Sequence, residues 1–112
     1  MPILVVADIF GIAGRRQELT AALAGAERDA AAQDGCLRYS TAATLDDPDH
    51  FVVVSEWRDQ AAVDAHYGAP GFATFQMALD GLLARPSEMT MYDVGAAVRA
   101  MPSEPMDPRD AD

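Results

Sequence analysis

The sequence predicts an α+β fold in which a four-stranded antiparallel sheet carries its helices on one face. Three observations point there. Segments rich in β-branched and aromatic residues lie at 3–10, 36–45, 51–58 and 88–94. Segments with a helical apolar stripe separate the first strand from the second and the third from the fourth. A short Asp/Pro turn, DDPDH at 46–50, joins the middle two strands into a hairpin. The element order is β-α-β-β-α-α-β.

Residues 3–10, ILVVADIF, form the first strand, with Asp8 as its single charge. Gly11 and Gly14 mark a turn, and a helix dense in Ala runs from Arg15 to Gln33. Leu19, Ala22, Leu23, Ala26 and Ala30 share one stripe of it, with Arg15, Glu18, Glu27, Arg28 and Asp29 on the wet side. Asp34-Gly35 ends the helix, Gly35 being suited to a left-handed cap. CLRYSTAATL (36–45) and FVVVSEWR (51–58) are the hairpin strands. Asp59 is an N-cap candidate for a short helix over 60–67, which Gly68, Ala69 and Pro70 break. A further helix is predicted over about 71–84, with Phe72, Phe75, Leu79, Leu82 and Leu83 on one face and Pro86 as its stop. EMTMYDV (88–94) is the last strand. The expected domain is 1–95. The tail 96–112, with three prolines and four acids, is expected to be irregular.

A chain of 112 residues suits one domain with a real core. Its eight basic residues are all Arg; it has no Lys and no Asn. No Lys means no Schiff base and no phosphate-loop lysine. One Cys and two His are too few for a Cys-rich zinc site, so no metal cluster of that kind is expected. The lone Cys36 has no internal disulfide partner, which fits a reducing cytoplasm. Net charge is −10, of which residues 1–95 contribute −8 (6 Arg against 14 acids) and the tail −2 (2 Arg against 4). Acidity in both parts argues against nucleic acid and anionic membranes as partners. No apolar run reaches the ~20 residues of a membrane span, and MPILVVADIF lacks the basic start of a signal peptide.

The alternation in the first and third strands carries a further expectation. Ile3, Val5, Ala7 and Ile9 oppose Leu4, Val6, Asp8 and Phe10; Phe51, Val53, Ser55 and Trp57 oppose Val52, Val54, Glu56 and Arg58. Neither side is clearly polar. One side meets the helices, and the other would leave several hundred Å² of apolar surface in water, more than a monomer normally shows. A second copy of the chain is the simplest cover, so a homodimer is expected.

Two residues stand out as chemistry. His66 shares a helix face with Ala62 and Val63, so it points toward an apolar interior, where an imidazole serves as base or hydrogen-bond donor. On spacing alone, a structural His bonded to a backbone carbonyl is the plainer alternative. Trp57 ends a strand and is read either as core or as the wall of an aromatic pocket whose N–H is free for a ligand. Phe72, Phe75 and Leu79 are core or pocket lining. Tyr39, Tyr67 and Tyr92 are possible proton donors. His50, near Asp46, Asp47 and Asp49, is read as a solvated hairpin tip rather than a weak cation site. Cys36 is read as a small buried residue.

These residues, in order, resemble the antibiotic-biosynthesis-monooxygenase (ABM) domain family. The resemblance rests on the strand F51-V-V-V-S-E56-W57, the helix A61-A-V-D-A65-H66, then A69-P70-G-F72, F75 and L79. V6-A7 followed by G14-R15-R16, and D34-G35-C36-L37 with Y39, extend it to about residues 3–95. The resemblance implies a ferredoxin-like dimeric α/β barrel, two sheets face to face, with a small apolar pocket in each subunit. It also implies an enzyme that oxidises a quinol or polycyclic phenol with O₂ and without flavin, metal or haem. Trp57 and His66 would be its catalytic residues, and Phe72, Phe75, Leu79 and Tyr39 its substrate pocket. The chain departs from the family's pattern in having no Asn. It also has Phe75-Gln76 where haem-degrading relatives place a haem-ligating His, which argues against haem degradation. Two other functions are carried alongside: a non-catalytic dimeric binding or accessory module of the same fold, and a small-molecule isomerase or lyase.

Overall fold

A computed structural model describes residues 1–95. The expected irregular tail, 96–112, lies outside the described residues. Four strands, β1 (Ile3–Phe10), β2 (Cys36–Ala43), β3 (His50–Trp57) and β4 (Glu88–Asp93), alternate with α1 (Arg16–Ala31), α2 (Gln60–Gly68) and α3 (Pro70–Ala78) in the predicted order. They form one antiparallel sheet, β2-β3-β1-β4, the ferredoxin-like arrangement. The two strands with apolar residues on both sides, β1 and β3, are the central pair, in register Val5↔Ser55 and Val6↔Val54.

The inner row is the core. Ile3, Val5, Ile9, Phe51, Val53, Ser55 and Trp57 are buried beneath Leu19, Leu23 and Ala30 of α1 and Ala62 and Val63 of α2. Residues of the outer row, Leu4, Val6, Val52 and Val54, are half-buried within the single chain. Period-two alternation thus sorts the two rows between a packed and an unpacked face.

Local chemistry sets the joints. Asp59 caps α2 through Oδ1, which accepts from Ala62 N–H at 2.9 Å. Gly35 takes φ +85°, and a Cβ there would lie 2.5 Å from Ala62 Cβ, so α2 seats directly on this glycine. In the hairpin loop, Asp47 Oδ1 accepts from Asp49 N–H at 2.9 Å and Thr44 N–H donates to His50 O at 2.8 Å. The helix expected over 71–84 is shorter. α3 stops at Ala78, and Gly81, at φ +76°, turns the chain so that Leu82 is buried from a loop. The backbone groups a longer helix would have used bond to the end of β1 instead: Ile12 N–H donates to Leu82 O at 2.9 Å and Ala84 N–H to Phe10 O at 2.8 Å.

His50 is likewise not a solvated tip. It opens β3 with its ring half-buried, 4.7 Å from the Phe10 ring, and Nε2 lies 2.7 Å from Asp8 Oδ1. The antiparallel register that sets Phe10 opposite His50 brings this pair together across the outer face. No cluster of His, Cys, Asp and Glu able to hold a metal occurs among the described residues.

Candidate functional site

A cavity of about 230 Å³ lies between the inner face of the sheet and the helices α2 and α3. Its floor is Val5, Ala7, Ile9 and Val53, and its helical wall is Phe72, Phe75 and Leu79. The polar groups lining it are Tyr39, Ser55, His66, Tyr67, Gln76 and Ser87; no Asp, Glu or Arg is among the lining residues. A shallower groove of about 460 Å³ borders it, sharing Gln76, Leu79 and Ser87.

Helix α2 presents His66 to this space. Three and four positions after Val63 and Ala62, His66 shares their buried face and is itself only 8% exposed. Its ring is enclosed by Trp57 at 4.6 Å, Tyr67 at 4.8 Å, Phe72 at 5.6 Å and Tyr39 at 6.2 Å between centroids. Nδ1 lies 2.8 Å from Gln33 Oε1, a side-chain partner rather than the backbone carbonyl of the plainer expectation. Burial lowers the His66 pKa from 6.5, so the imidazole is neutral at physiological pH. With Nδ1–H donating to the amide oxygen, Nε2 carries the free lone pair, and it has no protein partner among the described residues.

The two tyrosines complete an uncharged rim. Burial, aided by the proximity of Tyr67, Glu27 and Cys36, pushes the Tyr39 phenol up to about 12. Burial raises Tyr67 as well. Both remain protonated donors at neutral pH. The Tyr67 hydroxyl sits 2.9 Å from Met89 Sδ, while the Tyr39 hydroxyl has no partner among the described residues and is available to a ligand.

Trp57 is placed differently from the expectation. It is fully buried, does not line the cavity, and its Nε1–H donates to Ser55 Oγ at 3.0 Å. The indole N–H is not free for a ligand, because residues two apart on a strand share a face and Ser55 is the nearest acceptor. Trp57 therefore backs the site: it supports the His66 ring and orients the Ser55 hydroxyl, which does reach the cavity. Tyr92 lies on the outer face in register with Leu4 and is half exposed, away from the site. Cys36 is partly rather than fully buried, and burial raises its thiol pKa.

Sequence reasoning missed Ser55, Gln76 and Gln33. Ser55 had a signal: it is the one hydroxyl in the inward row Phe51, Val53, Ser55, Trp57. Gln33 had none, since nothing local ties it to a histidine thirty-three positions on.

The fold recurs in known proteins. Rv0793 from Mycobacterium tuberculosis superposes with a TM-score of 0.82 at 25% identity, covering 88% of this chain and 100% of that one. SnoaB, a cofactor-independent oxygenase from Streptomyces nogalater, superposes with a TM-score of 0.77 over 88% of this chain and 98% of its own; at 21% identity it speaks for the fold alone. The uncharacterised protein sll1783 of Synechocystis is 28% identical over 93 residues, 83% of this chain; the match spans 63% of that relative's length. The sequence profile of the antibiotic biosynthesis monooxygenase family matches residues 2–78, all of the elements from β1 to α3, and the chain therefore belongs to that family.

Proposed function

We propose that this chain is a cofactor-independent monooxygenase that oxidises a quinol or a polycyclic phenol with O₂. The observation that carries the reading is the neutral, nearly buried His66 at an uncharged aromatic-lined cavity, with Nδ1 engaged and Nε2 open. Membership of the antibiotic biosynthesis monooxygenase family supports it.

In this reading the ring enters between the sheet floor and Phe72, Phe75 and Leu79. Its hydroxyl donates to His66 Nε2, and the proton moves to the imidazole as the phenolate forms. The electron-rich phenolate reduces O₂ directly. For a ring C–H of the phenol oxidised to the second carbonyl of a quinone, four electrons pass to O₂: one oxygen atom ends on that carbon, and the other departs as water with the ring hydrogen and the hydroxyl proton. Tyr39 O–H is the donor for oxygen-centred charge on the ring. The protein's contribution is a base, a dry shaped space and a fixed orientation. A polycyclic substrate extends past Gln76 into the bordering groove.

The working unit is proposed to be a homodimer, with the outer rows of two sheets face to face, covering Leu4, Val6, Val52 and Val54. Its proposed location is the cytoplasm; among the described residues no helix is long and apolar enough to cross a membrane.

The test is oxygen uptake by metal-free, flavin-free protein against a panel of quinols and polycyclic phenols. Turnover that His66→Ala reduces by ~10²–10⁴ is the expected result. A second reading, a binding module without turnover, draws on one observation: the Trp57 N–H is consumed within the protein. Ligand binding without oxygen uptake across the panel would establish that reading instead.

A further inference from the structure

Gln33 follows α1 in the loop that leads to β2, and its only polar side-chain contact among the described residues is with His66. An amide oxygen has no proton to give, so at the 2.8 Å contact the ring nitrogen donates. The ring is held on its faces and edges by Trp57, Tyr67 and Phe72, so it does not turn over without displacing packed neighbours. We propose that Gln33 is a positioning residue: by accepting from Nδ1–H it holds His66 in the tautomer that leaves the Nε2 lone pair toward the cavity, which makes the cavity a receptor for an uncharged hydroxyl donor. The ligand half of this rests on the hydroxy-aromatic reading above; the tautomer half does not.

An amide differs here from a carboxylate in a way that matters. Asp or Glu would also accept from Nδ1–H, but its charge would favour imidazolium and remove the lone pair. Gln33 orients the ring without that charge. The titratable groups packed around His66 leave this role to it. Tyr67 of α2 and Tyr39 of β2 keep their protons at neutral pH, and the Cys36 thiol of β2 is raised. Asp29 of α1 lines the crevice that Gln33 and His66 share, and Glu27, two positions earlier, lies near Tyr39. Asp34, beside Gln33, is engaged by Arg58 at 3.3 Å on the exposed rim. No cation lines the cavity that His66 faces, Arg85 in the bordering groove is matched there by Asp80, and the chain carries a net charge of −10. A ligand hydroxyl therefore arrives with its proton on.

The experiment uses the full chain labelled with ¹⁵N-histidine at pH 8, where a long-range ¹H–¹⁵N spectrum separates protonated from bare ring nitrogens. His50→Ala assigns the two histidines. Wild-type His66 should show a protonated Nδ1 and a bare Nε2. Gln33→Leu should move the proton toward Nε2 and, if phenols are oxidised, lower kcat/KM about tenfold. Gln33→Glu should keep Nδ1–H and shift the His66 titration to higher pH. A wild-type proton on Nε2, a tautomer unmoved in Gln33→Leu, or no upward shift in Gln33→Glu would each overturn the role; the first and last need no Gln33→Leu that folds. For the ligand half, 1-naphthol should bind at least tenfold more tightly than 1-hydroxy-2-naphthoate by fluorescence titration, and equal binding would refute it. If the tautomer follows Gln33 while no phenol is oxidised, the oxygenase reading falls and the role of Gln33 stands.

Discussion

His66 and Tyr39 are the residues whose burial sets the pH behaviour of the site, and they act at opposite ends of the scale. His66 has a folded-state pKa below its unfolded value of 6.5. As pH falls through 6.5 the unfolded chain takes up a proton that the folded chain refuses, so stability is lost until the folded pKa is also passed. Urea midpoints measured from pH 7.5 to 5 should decline, and His66→Gln should flatten the decline. The lowered carboxylates, Glu18 and Asp34, act in a lower window, below their ordinary values of 4.5 and 3.8. Tyr39 gives the reverse dependence. Above pH 10 the unfolded phenol ionises while the folded one holds its proton toward 12, so stability falls as pH rises through that interval. Tyr39→Phe should retain more of its stability at pH 10.5–11, read from melting curves; an unchanged alkaline loss would assign it to Tyr67 instead.

At the scale of elements, the joint between α1, β2 and α2 holds the site together, because Gln33, Tyr39 and His66 stand on either side of it. Gly35 is its pivot, with positive φ and no room for a Cβ against Ala62. Asp59 supplies the cap that starts α2 in line with Trp57. Asp59→Ala should cost about 1 kcal/mol in chemical denaturation. Gly35→Ala should cost more, because it adds roughly 1–2 kcal/mol of left-handed backbone strain to a displaced α2. It should also disturb the ring currents of His66, while Asp59→Ala should not. The shortened α3 belongs to the same scale. An apolar stripe that continues through Leu79 and Leu82 reads as helix, yet Asp80-Gly81 turns the chain and the last two leucines are delivered from a loop bonded to the end of β1.

At the scale of the whole molecule, one sheet face has no covering layer among the described residues. Val6 and Val54 face each other at the centre of that outer row, and Tyr92 extends it on β4. If two copies meet there, a carboxylate at its centre is buried without a partner, at a cost of several kcal/mol. Val54→Glu should therefore sediment as a folded monomer where the wild-type protein sediments as a dimer. A wild-type monomer at micromolar concentration would remove the dimer from the proposed function.

The sequence by itself determined the element order, the apolar character of both faces of β1 and β3, and the inward direction of His66. Each of these follows from local periodicity: a period of two on strands, and three to four on helices, decides which residues share a face. It also determined, through a run of ordered motifs from β3 to α3, which family the chain belongs to. Tertiary structure alone decided what each candidate touches. His50 is half-buried because antiparallel register sets it opposite Phe10 and within reach of Asp8, and Gln33 reached His66 because the turn at Gly35 brings α2 close to the end of α1. Hydrogen-bond partners across such distances depend on packing geometry to within a fraction of an ångström, and no spacing along the chain encodes that.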